Sequence, residues 1–298
     1  PLTHAITTDP ISGIRDGLLR RPTTDPVVFQ SDTSNEFWQM QASLYLTTGL
    51  GEPVQIPEKV RLYLLSSFQH SGNSPPQTFP GQRGRCLNPT NPIYHGPTLR
   101  ALLMAFDAWV DRGVKPPDSA VPDVRNGTLA SLAEARKAFP AIPGVEFPPV
   151  LNELQLSNFG PGFDSKGGRR SLLPPRQGSS YRVLVPKTDQ DGLDIAGIRP
   201  IEIRAPLGTN TPWNMRAPEF RSGSLCALSG SYIPFARTKA ERLAEGDPRR
   251  SLEERYTDHE GYVKAVKQAA KELIDEGFLL EQDAERFIAA ADASDVLR

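Results

Sequence analysis

Val60-Arg61-Leu62-Tyr63-Leu64-Leu65, followed after two serines by Phe68-Gln69-His70-Ser71-Gly72, decides how this chain is read. The first six residues form an apolar run of the length and composition of a buried strand. The second group places a histidine just past the strand end, on a loop of small residues. A hydrolase keeps its general base in such a place. Upstream, Val27-Val28-Phe29-Gln30 is a second strand-like run, and it ends in Ser31-Asp32-Thr33-Ser34-Asn35-Glu36-Phe37-Trp38. That segment offers two carboxylates, Asp32 and Glu36, to orient the histidine. An acid and then a histidine, each after a strand, form the back end of the chain order Ser…Asp/Glu…His. The front end is absent, since no Gly-x-Ser-x-Gly occurs in these residues.

Composition sets the outer limits. The 298 residues suffice for one large domain or two smaller ones. Lys+Arg 34 against Asp+Glu 35 gives a net charge of -1, without the basic face that a nucleic-acid partner needs. Hydrophobic content of 38% with Pro 29 and Gly 24 puts many residues in loops and turns. The balance of charge and apolar content still argues for a folded chain. Two cysteines, Cys86 and Cys226, can form one bridge or remain thiols. No run approaches the ~18 apolar residues of a membrane span. No signal peptide is visible in a chain that opens at Pro1, and Asn126-Gly127-Thr128 is a sequon short enough to arise by chance.

Along the chain, residues 1 to about 26 are turn-rich and feed the first strand. Glu36 to Tyr45 has Phe37, Met40, Leu44 and Tyr45 near helical spacing. Residues 71–97 form a long Pro/Gly/Asn loop beginning at His70, which predicts a loop lining a site. Gly96-Pro97 then opens a helix whose apolar face is Leu99, Leu102, Leu103, Phe106, Trp109 and Val110, ended by Gly113 and Pro116. This helix is expected to pack on the sheet. The middle region holds two β-rich runs, Tyr181–Val185 and Ile201–Arg204, among Gly/Pro turns. The tail from 237 is helical. Ser251-Leu252-Glu253-Glu254 and Thr257-Asp258-His259-Glu260 both match a capping box. Tyr262, Val263, Val266, Ala269, Ala270, Leu273 and Ile274 form an amphipathic face, and a last helix carries Ala284, Phe287, Ile288 and Ala291.

Each candidate has a plainer alternative. A catalytic His70 needs a partner that fixes its tautomer, and Glu36 or Asp32 can serve; a loop histidine otherwise bonds to backbone. His95, just before the helix, lines a pocket or closes a turn. His259 belongs to a solvated cap, and His4 carries no information. Neither the four histidines nor the two cysteines have metal-ligand spacing, so no metal and no cofactor is expected. Asp189-Gln190-Asp191-Gly192-Leu193-Asp194 lacks the closing glutamate of a calcium loop and reads as a turn. Cys86 is a conceivable nucleophile beside His70, although a buried or bridged cysteine is more ordinary.

Several stretches occur together: Thr33-Ser34-Asn35-Glu36-Phe37-Trp38, Pro57-Glu58-Lys59-Val60-Arg61-Leu62-Tyr63, Gln69-His70, Asn91-Pro92 and Leu99–Leu103. Farther on stand Val185–Gly192, Ala205-Pro206-Leu207-Gly208-Thr209, Trp213-Asn214-Met215-Arg216 and Gly230–Phe235. Over nearly its whole length the chain resembles the C-terminal portion of a large bacterial family of α/β-hydrolase domain proteins. The resemblance implies an α/β fold: the rear part of an α/β-hydrolase sheet, a loop-rich and partly β lid region, and a helical C-terminal tail. The corresponding ranges are 1–116, 117–236 and 237–298. Glu36 would be the triad acid, with Asp32 the alternative, and His70 the triad histidine. The nucleophilic serine would lie upstream of Pro1, and apolar faces meant for earlier strands would be exposed. The expected activity is ester hydrolysis on a small-molecule ester substrate, with no cofactor, no nucleic acid, no membrane span and the missing N-terminal segment as partner. Phe68, Phe79, Tyr94, His95 and Trp213 are the expected pocket residues, core packing being the alternative for the aromatics. The competing reading is a non-catalytic binding or structural module.

Overall fold

The computed structural model describes residues 2–71, 84–163, 165 and 167–298. Residues 72–83 of the loop expected over 71–97, Phe79 among them, therefore lie outside the described residues. A small antiparallel pair, β1 (Thr7–Thr8) and β2 (Arg15–Asp16), precedes the part that positions the site. There β3 (Val28–Thr33) runs into α1 (Ser34–Gln39) and a 3-10 turn at Ala42–Tyr45. The continuous helix expected over Glu36–Tyr45 is broken because Gln41 takes a left-handed conformation, φ +54°. β4 (Val60–Leu65) returns parallel to β3, in register from Val28 opposite Val60 to Thr33 opposite Leu65.

β4 is buried on both faces, as its unbroken apolar run requires. The period of two sends alternate residues into two different cores. Tyr63 and Leu65 face one core with Ile198, Ile203, Val266, Ala270 and Leu273; Val60, Leu62 and Leu64 face another with Phe37, Trp38, Leu129, Val185 and Trp213. On its other side β4 meets Ala120 and Ile198 in isolated parallel bridges. Among the described residues β3 pairs only with β4, so its outer edge carries no strand.

α2 (Gly96–Arg112) starts and stops where the sequence predicts, with Pro97 in its first turn and Gly113 left-handed after it. Gly96 leaves room there for the Tyr94 ring, which a Cβ would meet at 2.3 Å. Only part of the expected apolar face packs. Phe106 and Trp109 lie against Phe29 at 4.9 and 5.7 Å, whereas Leu103, Met104 and Val110 are more than half exposed. β5 (Leu129–Ala130) and α3 (Leu132–Ala138) follow, α3 capped reciprocally by Ser131 and Glu134.

The middle region departs from expectation twice. The hairpin strands are β6 (Gln155–Asn158) and β7 (Arg176–Ser180), so the run Tyr181–Val185 is not a strand; only Val185, with Pro186, enters β8 (Val185–Pro186). Its apolar residues Leu184 and Val185 are buried as a packed connection instead. Ile201–Arg204 is the short helix α4 (Ile201–Arg204), started by Pro200, rather than a strand. Two isoleucines two apart satisfy either reading, and the flanking prolines favour a single turn. β9 (Gly208–Thr211) and β10 (Ser231–Pro234) pair antiparallel.

The tail is helical as expected: α5 (Lys239–Glu245), α6 (Leu252–Tyr256), α7 (His259–Asp275) and α8 (Glu281–Ala293). The Ser251–Glu254 capping box forms. The second box does not, because Thr257 is spent on ending α6 at φ +70°, and Asp258 caps α7 by accepting from the Gly261 amide. His259 is not simply solvated either. Its ring nitrogens bond the carbonyls of Val296 and Asp292, fastening the C-terminus to α7.

Candidate active site

The end of β3 supplies Thr33, and the first turn of α1 supplies Glu36, an acid where the helix dipole favours one. The Thr33 hydroxyl donates to Glu36 Oε2. Glu36 Oε1 lies 2.6 Å from His70 Nδ1, with the carboxylate side chain 13% and the imidazole 35% exposed. An ionised carboxylate only accepts, so the imidazole proton sits on Nδ1 and the Nε2 lone pair is left as the base. Among the described residues Nε2 has no partner.

The loop that carries His70 is tied down at nearly every residue. The Ser66 amide donates to Ile198 O, the Ser67 amide to Asp194 Oδ2 at 2.6 Å, and the Gly230 amide to Gln69 Oε1 at 2.9 Å. His95 Nε2 lies 3.2 Å from Gln69 O, and its ring packs tilted against Phe68 at 4.9 Å. Burial lowers the His95 pKa, so it serves as a neutral brace beneath His70.

The two candidate acids are thus separated by geometry. Asp32 does not reach His70; it accepts from Gln30 Nε2 at 2.7 Å and bonds the buried Tyr45 phenol. Burial, with Asp32 beside it, holds that phenol well above its usual pKa. His4, which carried no signal in the sequence, is buried near Asp32, and burial lowers its pKa.

Two of the expected pocket aromatics are corrected to core residues. Phe68 is completely buried, and Trp213 packs within 5.4–5.7 Å of Trp38, Phe139 and Phe147. Tyr94 lies half-buried over Gly96 and bonds Arg100 at the start of α2. Cys86 and Cys226 form a disulfide, so neither offers a thiolate. The stretch 188–194 is a turn, in which Asp189 Oδ1 accepts from the amides of Asp191 and Leu193. A cavity of about 270 Å³ lined by Leu2, Asp9, Leu44, Leu156 and Tyr181 includes neither Glu36 nor His70. No helix among the described residues is long and apolar enough to cross a membrane.

Two parallel strands each deliver one member of a bonded carboxylate–imidazole pair from their C-terminal ends, on an α/β scaffold. A family model described as alpha/beta hydrolase domain matches residues 5–289, and the chain belongs to that family. No curated protein and no solved structure matches it significantly.

Proposed function

We propose that this chain is the rear part of a serine hydrolase acting on carboxylic esters, contributing Glu36 as triad acid and His70 as general base. The observation that carries this reading is the 2.6 Å bond from Glu36 Oε1 to His70 Nδ1. In the proposed reaction a serine attacks the ester carbonyl, and His70 Nε2 takes its proton and passes it to the leaving alcohol. Water then attacks the acyl-enzyme, with His70 again as base. Glu36 holds the tautomer and stabilises the imidazolium.

In this reading the serine belongs to a segment outside these residues, which hold no Gly-x-Ser-x-Gly. Support for this lies in the outer edge of β3, unpaired among the described residues, and the apolar groove beside it, a cavity of about 180 Å³ lined by Phe29, Leu99, Leu103 and Phe106. In this reading residues within 117–236 form a lid over the ester, with Tyr94 and His95 near its edge, and 237–298 buttress the sheet. The test is ester turnover by the protein extended upstream of Pro1. His70→Ala is expected to reduce kcat by about 10³–10⁴-fold or more; unchanged turnover would remove His70 from the reaction. A binding module is the second reading, favoured by the absence of Gly-x-Ser-x-Gly from these residues. It predicts no turnover in either protein.

A further inference from the structure

We propose that Asp194 is a positioning residue for the Glu36–His70 pair, joining through one carboxylate oxygen the start of α1, which carries Glu36, to the loop that carries His70. This rests on the serine-hydrolase reading. The β3–β4 ladder ends at Thr33 opposite Leu65. Glu36 lies three residues beyond that end and His70 five, so ladder hydrogen bonds no longer set their separation. Asp194 bridges the gap. Its Oδ2 accepts from the Ser34 hydroxyl, two residues before Glu36, and from the Ser67 amide at 2.6 Å, three residues before His70. The Ser67 amide also lies 3.0 Å from Ser34 Oγ, and the Asp194 amide returns a bond to Ser67 Oγ at 2.9 Å. All three side chains are fully buried or nearly so.

Ser67 sits at φ +63°, a conformation that non-glycine residues hold only when their surroundings over-determine it. Those surroundings are the two bonds to Asp194, with Asn91 Nδ2 donating to Ser67 O at 2.6 Å. Asp194 in turn is held from its C-terminal side, by residues 196–198. The Ser66 hydroxyl and amide bond the carbonyls of Ala196 and Ile198, and Gly197, at φ +91°, lies so close that a Cβ would meet Leu64 O at 2.6 Å. Burial raises the Asp194 carboxyl to about 6 against the pull of Ser34 and Ser67, so at neutral pH it is an ionised acceptor.

The experiment is proton NMR of the chain as it stands, following the low-field Nδ1 proton of His70, together with the rate of its modification by diethyl pyrocarbonate. The wild-type signal should vanish in Glu36→Gln. Asp194→Asn should fold, lose or shift that signal, and raise the modification rate by about fivefold, the scale of one lost hydrogen bond. Val266→Ala, a core change of comparable destabilisation on α7, should leave both unchanged. Should Asp194→Asn not fold, Ser34→Ala decides: the same change in signal supports the proposal. An unaltered signal and rate in the folded variant overturn it. A wild type without a Glu36-dependent signal would instead show that the pair itself is not formed. The functional reading would then fail first, and this inference with it.

Discussion

Both oxygens of the Glu36 carboxylate are engaged, one by the Thr33 hydroxyl and one by the His70 imidazole. Glu36→Gln keeps the shape but offers an amide where Nδ1–H needs an acceptor, which favours the wrong tautomer. In the upstream-extended protein it is expected to lower kcat by about 10³–10⁴-fold with little change in KM. Steady-state ester kinetics check this, and a loss confined to KM would contradict it. Asp194 supplies a second prediction at this scale. Burial raises its carboxyl from 3.8 to about 6 in the folded chain, Asp189 adding to the rise and Arg199 opposing it. The folded state then binds the proton more tightly than the unfolded one between those values. The contribution of Asp194 is fully present below about pH 4 and is lost as pH rises through about 6, about 3 kcal/mol in all. Urea unfolding at about pH 4 and about pH 7 should show that fall, and Asp194→Asn should flatten it. An equal fall in the variant would assign it to other groups. The Glu36–His70 contact was readable because each residue follows a strand closely. Asp194 was not, because its partners Ser34 and Ser67 lie 160 and 127 residues away in sequence.

Elements were legible where one local signal dominated. β4 announced itself by an unbroken apolar run, and α2 by Gly96-Pro97 at its start and Gly113 at its end. α7 showed a full amphipathic stripe, buried as predicted at Val263, Val266, Ala270 and Leu273. Leu273→Ala should therefore cost about 2–5 kcal/mol in chemical unfolding; a loss under about 1 kcal/mol would contradict its place in the core. Ile201–Arg204 misled because a strand and a single helical turn both bury Ile201 and Ile203. The pairing of Cys86 with Cys226 depends on tertiary contact, not on spacing. It ties the segment after the His70 loop to the stretch following Trp213, across 140 residues. Replacing both cysteines by serine should lower stability by about 3–5 kcal/mol. Calorimetry against the wild type checks this, and an unchanged Tm would mean the closed loop is not constrained by the bridge.

For the whole molecule, two cores flank β4 while β3 presents its outer edge beside an apolar groove. No composition count could show that groove, since it appears only when α2 turns Leu99 and Leu103 away from the core. Leu103→Ala should change the stability of this chain by less than about 0.5 kcal/mol, as at an exposed site. In the upstream-extended protein it should cost about 2 kcal/mol or more, if the added segment covers the groove. Equal effects in the two proteins would remove the groove from that role. The central claim is that His70, oriented by Glu36, activates a serine outside these residues. Fluorophosphonate labelling of the upstream-extended protein, read by peptide mass spectrometry, tests it most directly. The expected result is one labelled serine upstream of Pro1, with labelling abolished in His70→Ala. No labelled serine, or labelling indifferent to His70, would contradict the account.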